Sequence, residues 1–321
     1  MALDFDAGVS RLVARVAGVR CVSAGSGLGG RTMQARCGGT RLLMRRGPRR
    51  TRCASSPAAA PFHGTHRPTR SRLGGADAEP TPYAVFNVAQ FWDGRAKDLE
   101  QQAGAPMVNP IEMASPSLHI VEQLNGIPGY HDMFVEAFPS ESDPITLANA
   151  QKAIAVFEAT LITPDAPFDR FLKGDANALS PMEKQGLSLF IDKGCANCHN
   201  GINVGGGMHA PFGVVEKPGA DRLPPGNKGR FMVTKTPSDE FVFKVPSLRN
   251  IALTAPYFHT GQAWDLRQAV AIMGASQLNI ELKDDEVDKI TAFLSSLTGE
   301  QPKVTYPILP ASDANTPRPQ P

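Results

Sequence analysis

From Tyr83 onward, apolar positions recur at helical spacing. In SLHIVEQLNGIPGYHDMFVEAF they fall at Ile120, Val121 and Leu124, then at Met133, Phe134 and Phe138, which predicts two short helices broken at GIPG. DPITLANAQKAIAVFEATL places Leu147, Ala150, Ile154, Phe157 and Leu161 on one stripe. ALSPMEKQGLSLFIDKG carries a complete helix start: Ser180 as N-cap, Pro181 at the first helical position and Glu183 closing a capping box. Gly194 ends that helix. LKDDEVDKITAFLSSLTG opens with acids suited to a helix N-terminus and repeats apolar residues at Val287, Ile290, Phe293, Leu294 and Leu297. Residues 201–262 are rich in Gly and Pro and show little regular period, and the segment after Lys303 is Pro-rich and predicted to be extended. The expected class is mostly α, with long loops rather than sheets.

The first 82 residues share none of this order. They contain fourteen Arg, no Lys and four acidic residues, a net of +10, whereas residues 83–321 carry nineteen basic and twenty-seven acidic residues, a net of −8. The overall charge of +2 hides that seam. An Arg-rich, acid-poor start suits a transit peptide, but Asp4 and Asp6 oppose it, and Arg15 and Arg20 interrupt the candidate secretory stretch LVARVAGV. A basic arm for nucleic acid would need aromatic side chains for base stacking, and these are nearly absent. The physical expectation for 1–82 is disorder. Cys21, Cys37 and Cys53 lie there singly and form no C-x-x-C. No run approaches the ~18 apolar residues of a membrane span.

Chemistry concentrates at FIDKGCANCHNG, where Cys195, Cys198 and His199 form C-x-x-C-H. Two thiols at this spacing add across the two vinyl groups of a haem, and the adjacent imidazole becomes the proximal iron ligand. The competing reading is half of a zinc site, but no second C-x-x-C exists and the nearest further candidate ligand is His209. A capped helix before the motif and an amphipathic helix closing the domain favour the haem, since that order can wrap it in apolar side chains. For the sixth ligand, Met273 in AVAIMG offers a thioether, although most Met residues simply fill core space. His259 in TAPYFHTG is a rival, or a neighbour of a haem propionate.

Six blocks, AVFNVAQFWDGRAKDLEQQA, NPIEM, FDRFLKGD, LFIDKGCANCHNG, FKVPSLRNIALTAPYFHTGQ and AVAIMG, together resemble the bacterial di-haem cytochrome c peroxidases, from Tyr83 to about Pro310. The resemblance implies two cytochrome c-like domains: residues 83–165 as the remainder of an N-terminal peroxidatic domain, and 166–310 as a C-terminal electron-transfer domain followed by a Pro-rich tail, 311–321. It implies reduction of hydrogen peroxide to water in the periplasm, with electrons from a small cytochrome c or cupredoxin. Homodimers follow by family analogy. Cys195 and Cys198 then match the covalent haem links, and His199 and Met273 the axial ligands. Trp92 matches the electron conduit between haems, and Gln102 and Glu112 match peroxide-pocket residues. Glu112 would move the peroxide proton as a partly desolvated carboxylate. The backbone carbonyls of Thr254 and Pro256 match ligands of a calcium ion.

The resemblance also implies an earlier C-x-x-C-H upstream of Trp92 and a distal histidine between them. Neither is written: Cys53 lacks a partner three residues on, and His63 and His66 fall in the wrong pattern. The abrupt change of composition suggests that much of 1–82 is read out of frame, because GC-rich DNA yields Arg, Ala, Gly and Pro in any frame. Two functional expectations follow: a peroxidase whose first haem c site is lost from this chain, or a mono-haem c-type electron-transfer protein.

Overall fold

The computed structural model describes residues 82–303 and 306–317. The expectations for residues 1–81, disorder, a shifted frame and a missing first haem site, lie outside the described residues. The described chain is mostly helical: α1 (Leu99–Val108), α2 (Ser117–Asn125), α3 (Pro128–Ala137), α4 (Leu147–Ala159), α5 (Pro167–Leu172), α6 (Pro181–Asp192), α7 (Phe231–Thr234), α8 (Leu266–Leu278) and α9 (Asp284–Ser295). The loop-rich middle adds a two-stranded antiparallel ribbon, β1 (His209–Pro211) and β2 (Val242–Lys244), with Ala210 opposite Phe243. That ribbon is a small addition to the all-loop expectation: strands of three residues are too short to show a period of two. No described helix is long and apolar enough to cross a membrane.

Helix ends form where the local chemistry directs them. The break between α2 and α3 falls at Gly126–Ile127, with Pro128 opening α3. Asp98 accepts from Gln101 N at 2.9 Å to start α1, and Thr146 from Asn149 N at 3.1 Å to start α4. Ser180 and Glu183 form the reciprocal capping box of α6, at 3.3 and 2.6 Å. Glu286 in the first turn of α9 accepts from Lys283 N at 3.0 Å, and its carboxylate pairs with Lys193 at 2.8 Å beyond the end of α6.

Two apolar cores result. One gathers Phe134, Ala137, Phe138, Ile145, Ala150 and Val156, from α3 and α4 and the turn between them. The other is centred on α6, α8 and α9, with Phe190, Val270, Val287, Ile290, Phe293 and Leu297. Phe293 meets Phe168 edge-on at 5.3 Å and Phe190 at 5.2 Å. All five apolar positions expected inward, four on α9 and Leu297 just beyond it, are buried. In α4 the stripe is imperfect, because Ile154 is exposed. That helix has a core on either side of it: Ala150 and Val156 face the first core, while Ala155 packs on Ala84 and Leu99. Gly186 marks the crossing of α6 and α9, where a Cβ would lie 1.9 Å from the Lys289 carbonyl.

Residues 306–317 take no regular structure, as their proline content predicts. They are nonetheless anchored on the α2–α3 turn. Thr316 Oγ1 donates to Gly126 O at 2.6 Å, Gln123 Nε2 donates to Pro317 O, and the Pro310 ring closes on Gly129.

Glu158, near the end of α4, has a buried Oε2 without a hydrogen-bond partner, and burial raises its pKa to about 7 from 4.5. The raised value means that the folded chain holds this proton more tightly than the unfolded chain. Its contribution to stability is complete below pH 4.5 and is lost as pH rises through 7. Glu158→Gln, which cannot ionise, is therefore expected to be more stable than the parent at pH 8 by roughly 1–3 kcal/mol, and to differ little at pH 4.5. Urea unfolding at both pH values checks this. An equal effect at the two would show that ionisation of Glu158 is not involved.

Candidate haem and peroxide site

The haem candidate is built by the end of α6. Gly194, at φ 95°, turns the chain into a single 3-10 turn, Cys195–Asn197, followed by Cys198 and His199. Both thiols are free and partly exposed. Burial pushes the Cys195 thiol up, so it is held as a thiol rather than activated as in a redox dithiol. Cys195 and Ala196 pack against the α6–α8–α9 core.

The His199 ring is deeply buried, and this lowers its pKa to about 4 even though the backbone of Pro246 and Val204 favours the protonated ring. It is therefore neutral at pH 7, the state a metal ligand requires. Its Nδ1 is buried and completes no hydrogen bond of good geometry. It faces the Pro246 carbonyl across Gly205 (φ 130°), where a Cβ would lie 2.2 Å from that oxygen and 3.3 Å from Nδ1. Two free thiols on one turn, a neutral buried imidazole beside them and an apolar wall fit a covalently held haem.

The structure gathers a second group of expected residues. Met273 lies within α8, one turn beyond Val270 of the core that Cys195 joins. It packs with Trp92 and Phe258 against Phe212, Leu223 and Phe243. His259 sits in the same aromatic box, stacked on Phe243 at 4.2 Å, edge-on to Phe212 at 5.8 Å and 6.0 Å from Trp92. Burial lowers its pKa to about 4, and its Nε2 is buried without a partner. The local signal for this box was the aromatic content of FVFKV and APYFH, although nothing in either stretch shows that they meet.

The expected peroxide-pocket residues are placed differently from one another. Gln102 is buried inside α1, with Oε1 unpartnered. Glu112 is exposed in the turn after α1 and accepts from Asn109 Nδ2 at 2.9 Å. The desolvation expected of Glu112 is thus not found: the turn at 109–112 directs it outward, and Asn109 rather than an apolar wall is its neighbour. Thr254 and Pro256 lie on the loop leading to His259, after the 3-10 turn Ile251–Leu253 and across the cis Ala255–Pro256 peptide.

The zinc alternative loses its ligands. His209 is in β1 with Arg230 Nη1 at 3.3 Å, and among the described residues no three His, Cys, Asp or Glu side chains are grouped to hold a metal ion.

Several residues with no motif signal frame the site. Asn203 is 2 % exposed; its Nδ2 donates to Asn87 Oδ1 at 2.8 Å, and Ser247 Oγ lies 2.8 Å from its Oδ1. Arg249 forks onto Asp169 at 2.9 and 2.8 Å and donates from Nε to Ile202 O at 2.8 Å.

The family model for di-haem cytochrome c peroxidase matches residues 51–177, reaching upstream of Tyr83, and that for cytochrome c matches 183–298. The cytochrome c551 peroxidase of Pseudomonas aeruginosa is 57% identical over 241 residues, covering 75% of this chain and 70% of that one. Its counterpart from Nitrosomonas europaea is 50% identical over 236 residues, covering 74% and 69%. Among solved structures, a MauG-like protein associated with microbial copper homeostasis superposes with a TM-score of 0.58 at 29% identity, covering 67% of this chain and 73% of that one. The di-haem peroxidase BthA of Burkholderia thailandensis, at 21% identity and a TM-score of 0.54, shares the fold. With these matches, the chain belongs to the bacterial di-haem cytochrome c peroxidase family.

Proposed function

We propose that this chain reduces hydrogen peroxide to two waters, using two protons and two electrons delivered singly by a small cytochrome c or cupredoxin in the periplasm. The observation that carries this reading is the meeting of Trp92, His259 and Met273 in one aromatic box, one helical turn along α8 from the core beside Cys195. Haem c supplies an iron that takes up and gives out one electron at a time. Cys195 and Cys198 would hold it covalently, His199 would ligate through Nε2, and the Met273 thioether would complete the pair. The indole of Trp92 offers a π system at the edge of that box for electrons leaving the C-terminal domain. Gln102 would orient peroxide through its unpartnered carbonyl oxygen, and Glu112, open to solvent, would exchange the proton at its carboxylate. The carbonyls of Thr254 and Pro256 are hard oxygen donors of the kind calcium takes. The two apolar cores support a division near residue 165 into two cytochrome-like domains, and pairing of two copies is carried by family analogy.

The written sequence contains one C-x-x-C-H. We therefore include in the proposal that the first covalent haem site is lost from this chain, so that peroxide reduction would need a haem held in the N-terminal domain without thioether links. The same observation favours a second reading, a mono-haem electron-transfer protein, to which the exposure of Glu112 also lends weight. A pyridine haemochrome count and peroxide turnover with a reduced cytochrome donor separate the two. The peroxidase reading expects turnover above that of free haem c peptide, and one covalent haem without turnover would overturn it. Re-reading the coding DNA of codons 1–82 in the other frames tests the origin of the loss: a C-x-x-C-H upstream of Trp92 is expected in one of them.

A further inference from the structure

We infer that Asn203 is a positioning residue that sets the reduction potential of the haem at His199 by fixing the carbonyl facing the proximal imidazole. This rests on the reading of Cys195, Cys198 and His199 as a haem site.

The ligand strength of an imidazole depends on what its second nitrogen meets, because a hydrogen bond from Nδ1–H to a carbonyl makes the other nitrogen more basic and fixes the tautomer. Here the backbone groups facing the ring are those of Pro246 and, second to it, Val204, the Pro246 carbonyl being admitted by the missing Cβ of Gly205. Pro246 has no N–H, so its own backbone contributes no donor to hold it in place. The neighbouring residues do so instead. Gly206 N donates to Val245 O at 2.7 Å on one side, and Leu248 N to Val204 O at 3.2 Å on the other.

Between those two anchors the Ser247 hydroxyl joins the two loop segments. Ser247 Oγ lies 2.8 Å from Asn203 Oδ1 and 2.9 Å from Asn203 O. The Asn203 amide is in turn oriented from its other end, where Nδ2 donates to Asn87 Oδ1 at 2.8 Å. Asn87 belongs to the segment that carries Trp92, and that segment is tied to the same loop by Val88 N donating to Gly206 O at 2.7 Å. A buried amide with both ends occupied holds one rotamer, so it transmits position rather than merely filling space. Asn203 thus joins the carbonyl behind the proximal histidine to the stretch leading to Trp92, and its place in sequence, four residues after His199, gives no hint of either contact.

Replacing Asn203 by Ala leaves Ser247 Oγ with the main-chain carbonyl of residue 203 as its remaining acceptor there, and this looser hold lets the Pro246 carbonyl recede from Nδ1. The imidazole becomes a weaker donor to the ferric state, and the potential rises. The test is spectroelectrochemical titration of the haem-loaded chain in three forms: the parent, Asn203→Ala and Ser247→Ala. Ser247→Ala is the gentler change, leaving the Asn203–Asn87 bond in place. The reduction equilibrium is expected to move by about tenfold in Asn203→Ala, an upward shift of ~59 mV for one electron. Ser247→Ala is expected to move in the same direction, and the double variant by less than the sum. Unmoved potentials in folded, haem-loaded variants would overturn the inference, even if thermal stability fell, since lost packing alone would lower stability without changing ligand basicity. If Asn203→Ala fails to load haem, Ser247→Ala alone decides. A haemochrome assay on the parent keeps the two ideas apart: no covalent haem there removes the site itself, whereas haem with unmoved potentials removes only the role of Asn203.

Discussion

Replacing Cys195 and Cys198 together by alanine is expected to abolish covalent haem at the C-terminal site. The haemochrome count of the acid-washed chain should drop by one per molecule. Peroxide turnover with a reduced cytochrome donor should fall by about 10³-fold or more, equivalent to roughly 4 kcal/mol of barrier. The reason is geometric. Both thiols stand on a single turn opened by Gly194, beside a neutral His199 and an apolar core, and no other described residues offer a second pair. Cys195→Ala alone leaves one thiol to form one thioether, so it should retain haem with a haemochrome band displaced towards that of a haem bearing one free vinyl. Unchanged haem content in the double variant would show that these thiols are not the attachment points.

Arg249→Ala is expected to destabilise the fold by about 3–5 kcal/mol, which for a chain of this size lowers the melting temperature on the order of 10 °C. The guanidinium is almost fully enclosed and satisfies three acceptors at once: both oxygens of Asp169 at the start of α5 and the Ile202 carbonyl in the loop after His199. It also lies over the Tyr83 ring at 5.1 Å. Truncation leaves the Asp169 carboxylate poorly hydrated with its main counter-charge gone, which is far costlier than losing a surface pair. Arg249→Lys keeps the charge but cannot fork onto a carboxylate while reaching a third acceptor, so an intermediate loss is expected. Calorimetry of the three proteins gives the order directly. A loss below about 1 kcal/mol for the alanine variant would place this pair among solvent-screened surface contacts.

The contrast between these residues shows what could be read from the chain alone. The capping box at Ser180–Glu183, the break at Gly126–Pro128, the inward face of α9 and the C-x-x-C-H turn are written within a few consecutive residues, so local pattern reveals them. Arg249 and Asp169 are 80 positions apart, Asn203 and Ser247 44, and Asn203 and Asn87 116. Pairing of polar side chains over such distances has no periodicity, and each partner taken singly looks like an ordinary polar residue in a loop. Ile154 failed as an inward residue for a related reason: a helix with a core on either side does not bury one clean stripe. Glu112 could be matched to a role but not to an environment, because exposure in a turn depends on where the flanking helices lead it.

The seating of the C-terminal segment on the α2–α3 turn has a consequence for the order in which the protein is made. Gly126 and Thr316, which share a hydrogen bond, are 190 positions apart. At ordinary synthesis rates the turn therefore emerges roughly 10–40 s before the residues that cover it. During that interval α2, which buries none of its residues fully even in the finished fold, has neither the Gln123–Pro317 contact nor the Pro310 ring over the turn. The first helical hairpin of the described chain is thus among the last parts to be completed. Any product ending before Pro310 leaves the ribosome with that hairpin uncovered.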